Sequence, residues 1–213
     1  MVVAIDGPAG VGKSTIAARI AKKSGFYYLN SGNFYRAVTK AVLEAHIDQE
    51  KEQDIIAVAN ECNLNIQDNC LYLNGKPVEK VIHTDSIDNR VSFFSTIPEV
   101  RDIVNRNLKR IAQHRDVVVE GRDIGTVVFP DAEVKIFLDA HIDIRTQRRF
   151  EQGISSLSRE KIKETIQCRD HSDKNKPVGS LKKAVDAFYI DTSYLTIDQV
   201  CEKVISEIRK KQK

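Results

Sequence analysis

Gly7-Pro8-Ala9-Gly10-Val11-Gly12-Lys13-Ser14-Thr15 follows directly on the apolar run Val2-Val3-Ala4-Ile5 and Asp6, and it fits the spacing GxxxxGK[ST] at every position. At ordinary glycine usage a chance match in a chain this long is roughly one in a hundred or rarer. The physical reason for the pattern is direct. Small residues let the backbone wrap close around a polyphosphate, while successive N–H groups and the positive end of the following helix face the anion. Lys13 can reach the outer phosphates, and the Ser14 hydroxyl can bind Mg²⁺. A glycine-rich turn that holds nothing is the bland alternative, and the flanking strand and helix argue against it. The motif implies a nucleoside triphosphate. It does not choose among a GTPase switch, an ATPase motor and a small-molecule kinase.

Working outward, Val2 to Ile5 reads as a buried parallel strand. Ile16, Ala17, Ile20 and Ala21 recur at helical spacing within Lys13 to Lys23, and Gly25 stands where a C-terminal cap belongs. Phe26 to Leu29 reads as a strand and Phe34 to Glu44 as a helix. A short helix is expected near Asp54 to Asn60. Asn63 to Ile82 alternates polar and apolar residues around Asn74-Gly75, a hairpin turn signal, so a small antiparallel insert is expected there. Pro98 opens a helix with an apolar stripe of Val100, Ile103, Val104, Leu108 and Ile111. Val117 to Val119 and Val134 to Leu138 read as core strands. Helices are expected over Ile142 to Gln152 and Ser158 to Arg169, a last strand over Ala187 to Ile190, and a closing helix through Ile197, Val200, Val204 and Ile208. Strands alternating with helices predict an α/β fold of three layers, a parallel sheet flanked by helices.

The 213 residues suit one compact domain or a core with small subdomains. Apolar residues at 41% and charged residues at 30% describe a globular chain, neither disordered nor fibrous. Thirty-three Lys and Arg against thirty Asp and Glu leave a net charge of +3, too small for a general polyelectrolyte strategy toward nucleic acid. No stretch has the ~20 apolar residues needed to span a bilayer, and the N-terminus is too short and too soon acidic for a signal peptide. Cys62, Cys70, Cys168 and Cys201 are scattered without metal spacing, so free thiols and a cytoplasmic location are expected.

Three features favour a small-molecule kinase: a short chain without a regulatory domain, no NKxD-like guanine-reading signal, and arginines gathered toward an acceptor phosphate. These are Arg36, Arg101, Arg122, Arg145, Arg148, Arg149 and Arg169. Guanidinium binds phosphate through paired donors. Arg145, Arg148 and Arg149 share one helical face. A solvated charged face is the ordinary reading of such a run. Its place before Ser155-Ser156 favours a closing lid.

Four stretches, the phosphate cradle among them, resemble bacterial cytidylate kinases, members of the P-loop nucleoside monophosphate kinases, nearly end to end. They are the cradle itself, Ser31-Gly32-Asn33-Phe34-Tyr35-Arg36, the run Gly121-Arg122-Asp123-Ile124-Gly125-Thr126-Val127-Val128-Phe129-Pro130-Asp131-Ala132, and Asp186-Ala187 with Ile190-Asp191-Thr192-Ser193. The third is the most specific, because adenylate, guanylate and shikimate kinases share only the cradle. The resemblance implies transfer of the ATP γ-phosphoryl group to CMP or dCMP with Mg²⁺. It also implies a core (1–45, 115–145 and 170–213), a nucleotide-binding insert (about 46–114) and a lid (about 146–169). Gly7 to Thr15 would hold ATP and Ser14 the metal.

Ser31, Ser92, Arg101 and Asp123 correspond to family residues near the cytosine. Arg101 can donate to a carbonyl or ring nitrogen, and Asp123 can accept from the exocyclic amine that uracil lacks. Arg36 and Arg122 correspond to clamps on the acceptor phosphate. Arg169 and Asp173 fall in an Arg-Asp-x-x-Asp pattern near the sugar and lid. Simpler roles exist: Asp123 as an N-cap, Arg122 paired with Glu120, Asp173 capping a turn. Glu120, Lys176, Ser180, His83 and Asn30 depart from the family's usual residues.

The acceptor is a phosphate monoester, mostly dianionic at neutral pH, so no general base and no catalytic histidine is expected. Lys13, Arg122, Arg148 and Arg169 are the expected catalytic cations, acting by positioning and charge neutralisation. A monomer acting on small molecules, with no nucleic acid or membrane partner, is expected. Kinases of UMP, AMP or shikimate, and a nucleotide-switched binding protein, are the competing readings.

Overall fold

The computed structural model describes residues 1–153 and 157–212. In chain order its elements are β1 (Val2–Asp6), α1 (Lys13–Ser24), β2 (Tyr27–Asn30), α2 (Ser31–Glu44), α3 (Glu52–Glu61), β3 (Leu64–Gln67), β4 (Cys70–Leu73), β5 (Lys76–Pro77), α4 (Asp85–Asp88), α5 (Val91–Phe94), α6 (Pro98–Ala112), β6 (Val117–Gly121), β7 (Val134–Asp139), α7 (Ile142–Glu151), α8 (Arg159–Asn175), β8 (Phe188–Asp191) and α9 (Ile197–Lys211). The main sheet has five strands in the order β2-β6-β1-β7-β8. β1 pairs in parallel with β6 on one side (Val3 opposite Val118) and with β7 on the other (Val3 opposite Val134). β7 in turn pairs in parallel with β8. A central strand covered on both faces should be apolar throughout, and Val3, Ala4 and Ile5 are wholly buried.

The chain forms two compact units, Met1–Tyr28 with Asp116–Lys213, and Leu29–Arg115. In the first, α1 and α9 lay Ile16, Ile20, Val200, Val204 and Ile208 against Val3, Ile5, Ile136, Leu138 and Ile190 of the sheet. Each such side chain contributes about 1.5–3 kcal/mol on burial. The strand thus ends at Asp6 with the Gly7–Gly12 turn held between a rigid sheet and the start of α1. In the second unit, α2 packs on α3 and α6, and α6 on β3. The antiparallel sheet β3-β4-β5 is the expected insert, turning between β4 and β5 at Asn74-Gly75, both with positive φ (51° and 77°). Such angles are what a two-residue hairpin loop requires.

The expected elements are present with shifted ends. α2 begins at Ser31 rather than Phe34, because the Asn30 side chain accepts the Asn33 N–H at 3.2 Å and caps the helix early. α8 runs to Asn175, past the expected end at Arg169. Two short helices, α4 and α5, and a single turn of π-helix at Ile124–Val128 were not expected. In that turn Phe129 N–H bonds Ile124 C=O at 2.7 Å. Ser155 and Ser156, where a lid loop was expected, lie outside the described residues. All four cysteines are free, with Cys62 and Cys201 buried and Cys168 exposed on α8. Among the described residues no helix is long and apolar enough to cross a membrane.

Candidate nucleotide site

The glycine-rich turn has the backbone its composition demands. Gly10 and Gly12 have φ of 74° and 95°, in the left-handed region, where a side chain is strained. A Cβ on Gly7 would lie 2.2 Å from the Leu138 carbonyl oxygen, so only glycine lets the turn pass β7. Helix α1 starts at Lys13 with Gly12 as its N-cap, no capping side chain and no acidic residue in its first turn. Its leading N–H groups and the positive end of its dipole are therefore left for an anion.

Lys13 is buried, and its Nζ donates to the Pro8 carbonyl at 2.7 Å, folding the side chain back over the turn. Burial first, then the positive charge of Arg122 with a further push from Arg169, holds its ammonium well below the ordinary value, against Glu120 and Asp173. A polyanion brought to this cluster would relieve the repulsion among its cations. Ser14 and Thr15 follow on the exposed first turn of α1.

Asp6, at the end of β1, accepts from Ile124 N–H and Gly125 N–H at 2.8 Å each, so it anchors the π-turn to the sheet. Burial nonetheless pushes its carboxyl up to about 6. Asp123, the residue before that turn, is buried. It makes no side-chain cap on the turn; its carbonyl accepts from Val127 and Val128 N–H. The N-cap alternative is therefore not what the chain does. Nor does Arg122 form the ion pair suggested for it with Glu120: its Nε donates to Asp173 at 2.6 Å, and Lys176 Nζ lies 3.0 Å from the other oxygen of that carboxylate. Burial raises the Asp173 carboxyl, but Arg122 and Lys176 outweigh it and the net shift is downward. Glu120 is buried and accepts the Tyr28 hydroxyl.

Arg169 is exposed on α8, near enough to Lys13 to depress its charge. The three arginines of α7 do not act as one charged face. Arg149 is exposed beside Gln152. Arg148 donates to the Thr192 hydroxyl at 3.0 Å and to the Thr192 carbonyl at 2.6 Å. Arg145 is buried and turned toward the glycine-rich turn, with Asp170 of α8 at 2.6 Å. Sequence reasoning missed Asp170 and misread Arg145; the available signal was an acid directly after Arg169 on the same helix.

In the second unit Ser31 is buried at the first position of α2. Arg36 Nε donates to Asp88 of α4 at 2.9 Å. Arg101 of α6 is buried, lies over the Tyr35 ring at 5.6 Å and donates to the Ser95 carbonyl at 3.1 Å. Ser92 is exposed on α5. This unit thus brings Arg101 against Tyr35 and Arg36 against Asp88.

Among the described residues no group of three or more His, Cys, Asp or Glu side chains is placed to hold a metal. The exposed Ser14 hydroxyl beside a phosphate turn fits Mg²⁺, a hard ion that keeps several waters and binds through few protein oxygens and the substrate phosphates.

A family profile described as cytidylate kinase matches residues 3–210. A cytidylate kinase from Caldanaerobacter subterraneus subsp. tengcongensis is 41% identical, over 99% of this chain and 96% of its own length. Cytidylate kinase 1 of Borreliella afzelii is 39% identical, over 100% of this chain and 98% of its own. A shikimate kinase from Bacteroides thetaiotaomicron superposes with a TM-score of 0.51 at 10% identity, covering 98% of both chains. That last likeness concerns the fold alone.

Proposed function

The chain belongs to the cytidylate kinase family, and from that premise we propose how its residues divide the transfer of the ATP γ-phosphoryl group to CMP or dCMP, giving ADP and CDP or dCDP. The observation that carries the division is the environment of Lys13: an ammonium buried against a glycine turn, beside Arg122 and Arg169, at an uncapped helix start. Gly7 to Thr15 wrap the donor phosphates, with backbone N–H groups and Lys13 as donors. Ser14 would hold Mg²⁺, which when bound supplies charge neutralisation at the phosphates. Lys13, Arg122, Arg148 and Arg169 offset charge on the moving phosphoryl group.

Arg36 and Arg122 hold the acceptor phosphate. Ser31, Ser92, Arg101 and Asp123 read the cytosine, and Arg169 and Asp173 its sugar. Asp123 accepts from the exocyclic amine of cytosine, and uracil would leave that buried carboxylate facing a carbonyl. The acceptor's second pKa is near ~6, so it arrives as a nucleophile without a protein base. The four free thiols support a reducing, cytoplasmic setting, and we read the active form as a monomer.

A coupled ADP-release assay with CMP, dCMP, UMP, AMP and shikimate tests this. CMP and dCMP should drive ADP formation, UMP more slowly, and AMP and shikimate not at all. Binding of MgATP with no pyrimidine 5′-monophosphate converted would overturn it.

A further inference from the structure

Ala9 lies in the middle of the glycine-rich turn, and both of its backbone groups are held by one buried ion pair. Its N–H donates to Asp170 Oδ1 at 3.3 Å, and its carbonyl accepts from Arg145 Nη1 at 3.0 Å. The pair itself closes at 2.6 Å between Arg145 Nη1 and Asp170 Oδ2. Arg145 Nε donates in addition to the Ala140 carbonyl at 2.9 Å, which fixes the guanidinium to the end of β7. Both side chains are buried. The next residue, Gly10, packs beside the same two helices: a Cβ there would make ordinary contact with the Arg145 Cβ at 3.4 Å and Ile166 Cδ1 at 3.7 Å, so it is the φ of 74° rather than crowding that calls for glycine. Helices α7 and α8 therefore grip the turn from outside, at a residue that the GxxxxGK[ST] pattern leaves unspecified.

We propose that Arg145 and Asp170 are positioning residues for the ATP phosphates, acting through the Ala9 backbone. The inference rests on the reading of the turn as the donor-phosphate site. A phosphate cradle built from N–H groups works only if those groups already converge before the ligand arrives. The glycines that let the turn adopt its shape also leave it free to adopt others. The ion pair removes that freedom from the outside, using a carboxylate for the N–H and a guanidinium for the carbonyl. It is neutral as a pair, so it sets the geometry of the turn without opposing the charge of the ligand. The same helix carries Asp173, which holds Arg122. α8 thus fixes the turn and one of the cations beside Lys13 from positions three residues apart.

Two variants test the assignment. Asp170→Asn keeps an acceptor for the Ala9 N–H but sets an amide against the guanidinium. Arg145→Lys keeps the charge pair buried but loses the forked donors, so it preserves folding where the first variant does not. The affinity for MgATP, measured by calorimetry without acceptor, should weaken by about tenfold or more in each folded variant. The affinity for CMP, measured alone, should stay within about twofold. KM for ATP should rise while KM for CMP does not. MgATP affinity unchanged in the folded variants, or ATP and CMP affinities lost in equal proportion, would overturn the proposal. A parent protein that binds MgATP without phosphorylating CMP would instead sink the functional reading and leave this measurement interpretable.

Discussion

Lys13 and Asp6 are both buried titratable groups in the first unit, and burial disfavours their charged forms for opposite consequences. For Lys13 the depressed ammonium lies over the glycine-rich turn, where we propose that phosphate charge arrives. Lys13→Ala should lower kcat by about 10²–10³-fold and leave CMP affinity within about twofold; near-normal kcat would remove Lys13 from the chemistry. Asp6 takes its proton at about pH 6 in the folded chain, against about 4 in the unfolded one. Between those values the folded state holds more protons, so this group's stabilising contribution is full below about pH 4 and lost as pH rises through about 6. The loss is on the order of 3 kcal/mol. Urea unfolding of the parent and of Asp6→Asn across that window checks it: the parent's stability relative to the variant should decline with rising pH, and a flat difference would show an ordinary carboxyl. For Asp123→Ala, the CMP-over-UMP ratio of kcat/KM should fall by about tenfold or more, and an unchanged ratio would take Asp123 out of base selection.

At the scale of elements, α9 is closed by a reciprocal cap, with the Thr196 hydroxyl accepting Gln199 N–H and the Gln199 side chain accepting Thr196 N–H. Thr196→Ala should cost about 1 kcal/mol, read as a fall of about 2–4 °C in Tm; no change would mean that water replaces the cap fully. Elements with a local cause were legible from the residues. The cradle, the Asn74-Gly75 hairpin, the Pro98 helix start and the alternation that builds the parallel sheet each follow from composition within a few positions. What escaped depends on partners far along the chain. The last turns of α8, from Asp170 to Asn175, are polar and carry no apolar period. They stay helical where Arg145, Arg122 and Lys176 meet their carboxylates. Arg145, Arg148 and Arg149 looked like one face because spacing reports angle around a helix, not what lies opposite. The π-turn after Asp123 was hidden for the same reason, since the Asp6 carboxylate that gathers its N–H groups lies more than a hundred residues earlier.

For the whole molecule, ligand linkage gives the broadest check. MgATP at about a hundred times its Kd should stabilise the folded chain by about 2.7 kcal/mol, a rise of about 5–10 °C in Tm for a protein of this size. Lys13→Ala should abolish most of that rise, and an equal rise in the variant would place nucleotide binding elsewhere. On the proposed roles of Arg122 and Arg169, activity and stability would be coupled, since the helix that carries Arg169 also bonds the glycine turn through Asp170 and Arg122 through Asp173. Nature has also left a handle on that helix. Cys168 is the exposed member of the four free thiols and immediately precedes Arg169. A maleimide fluorophore added to the unaltered protein should therefore label α8 ahead of the half-buried Cys70 and the buried Cys62 and Cys201, which puts a dye on the helix that grips the glycine turn without an engineered cysteine.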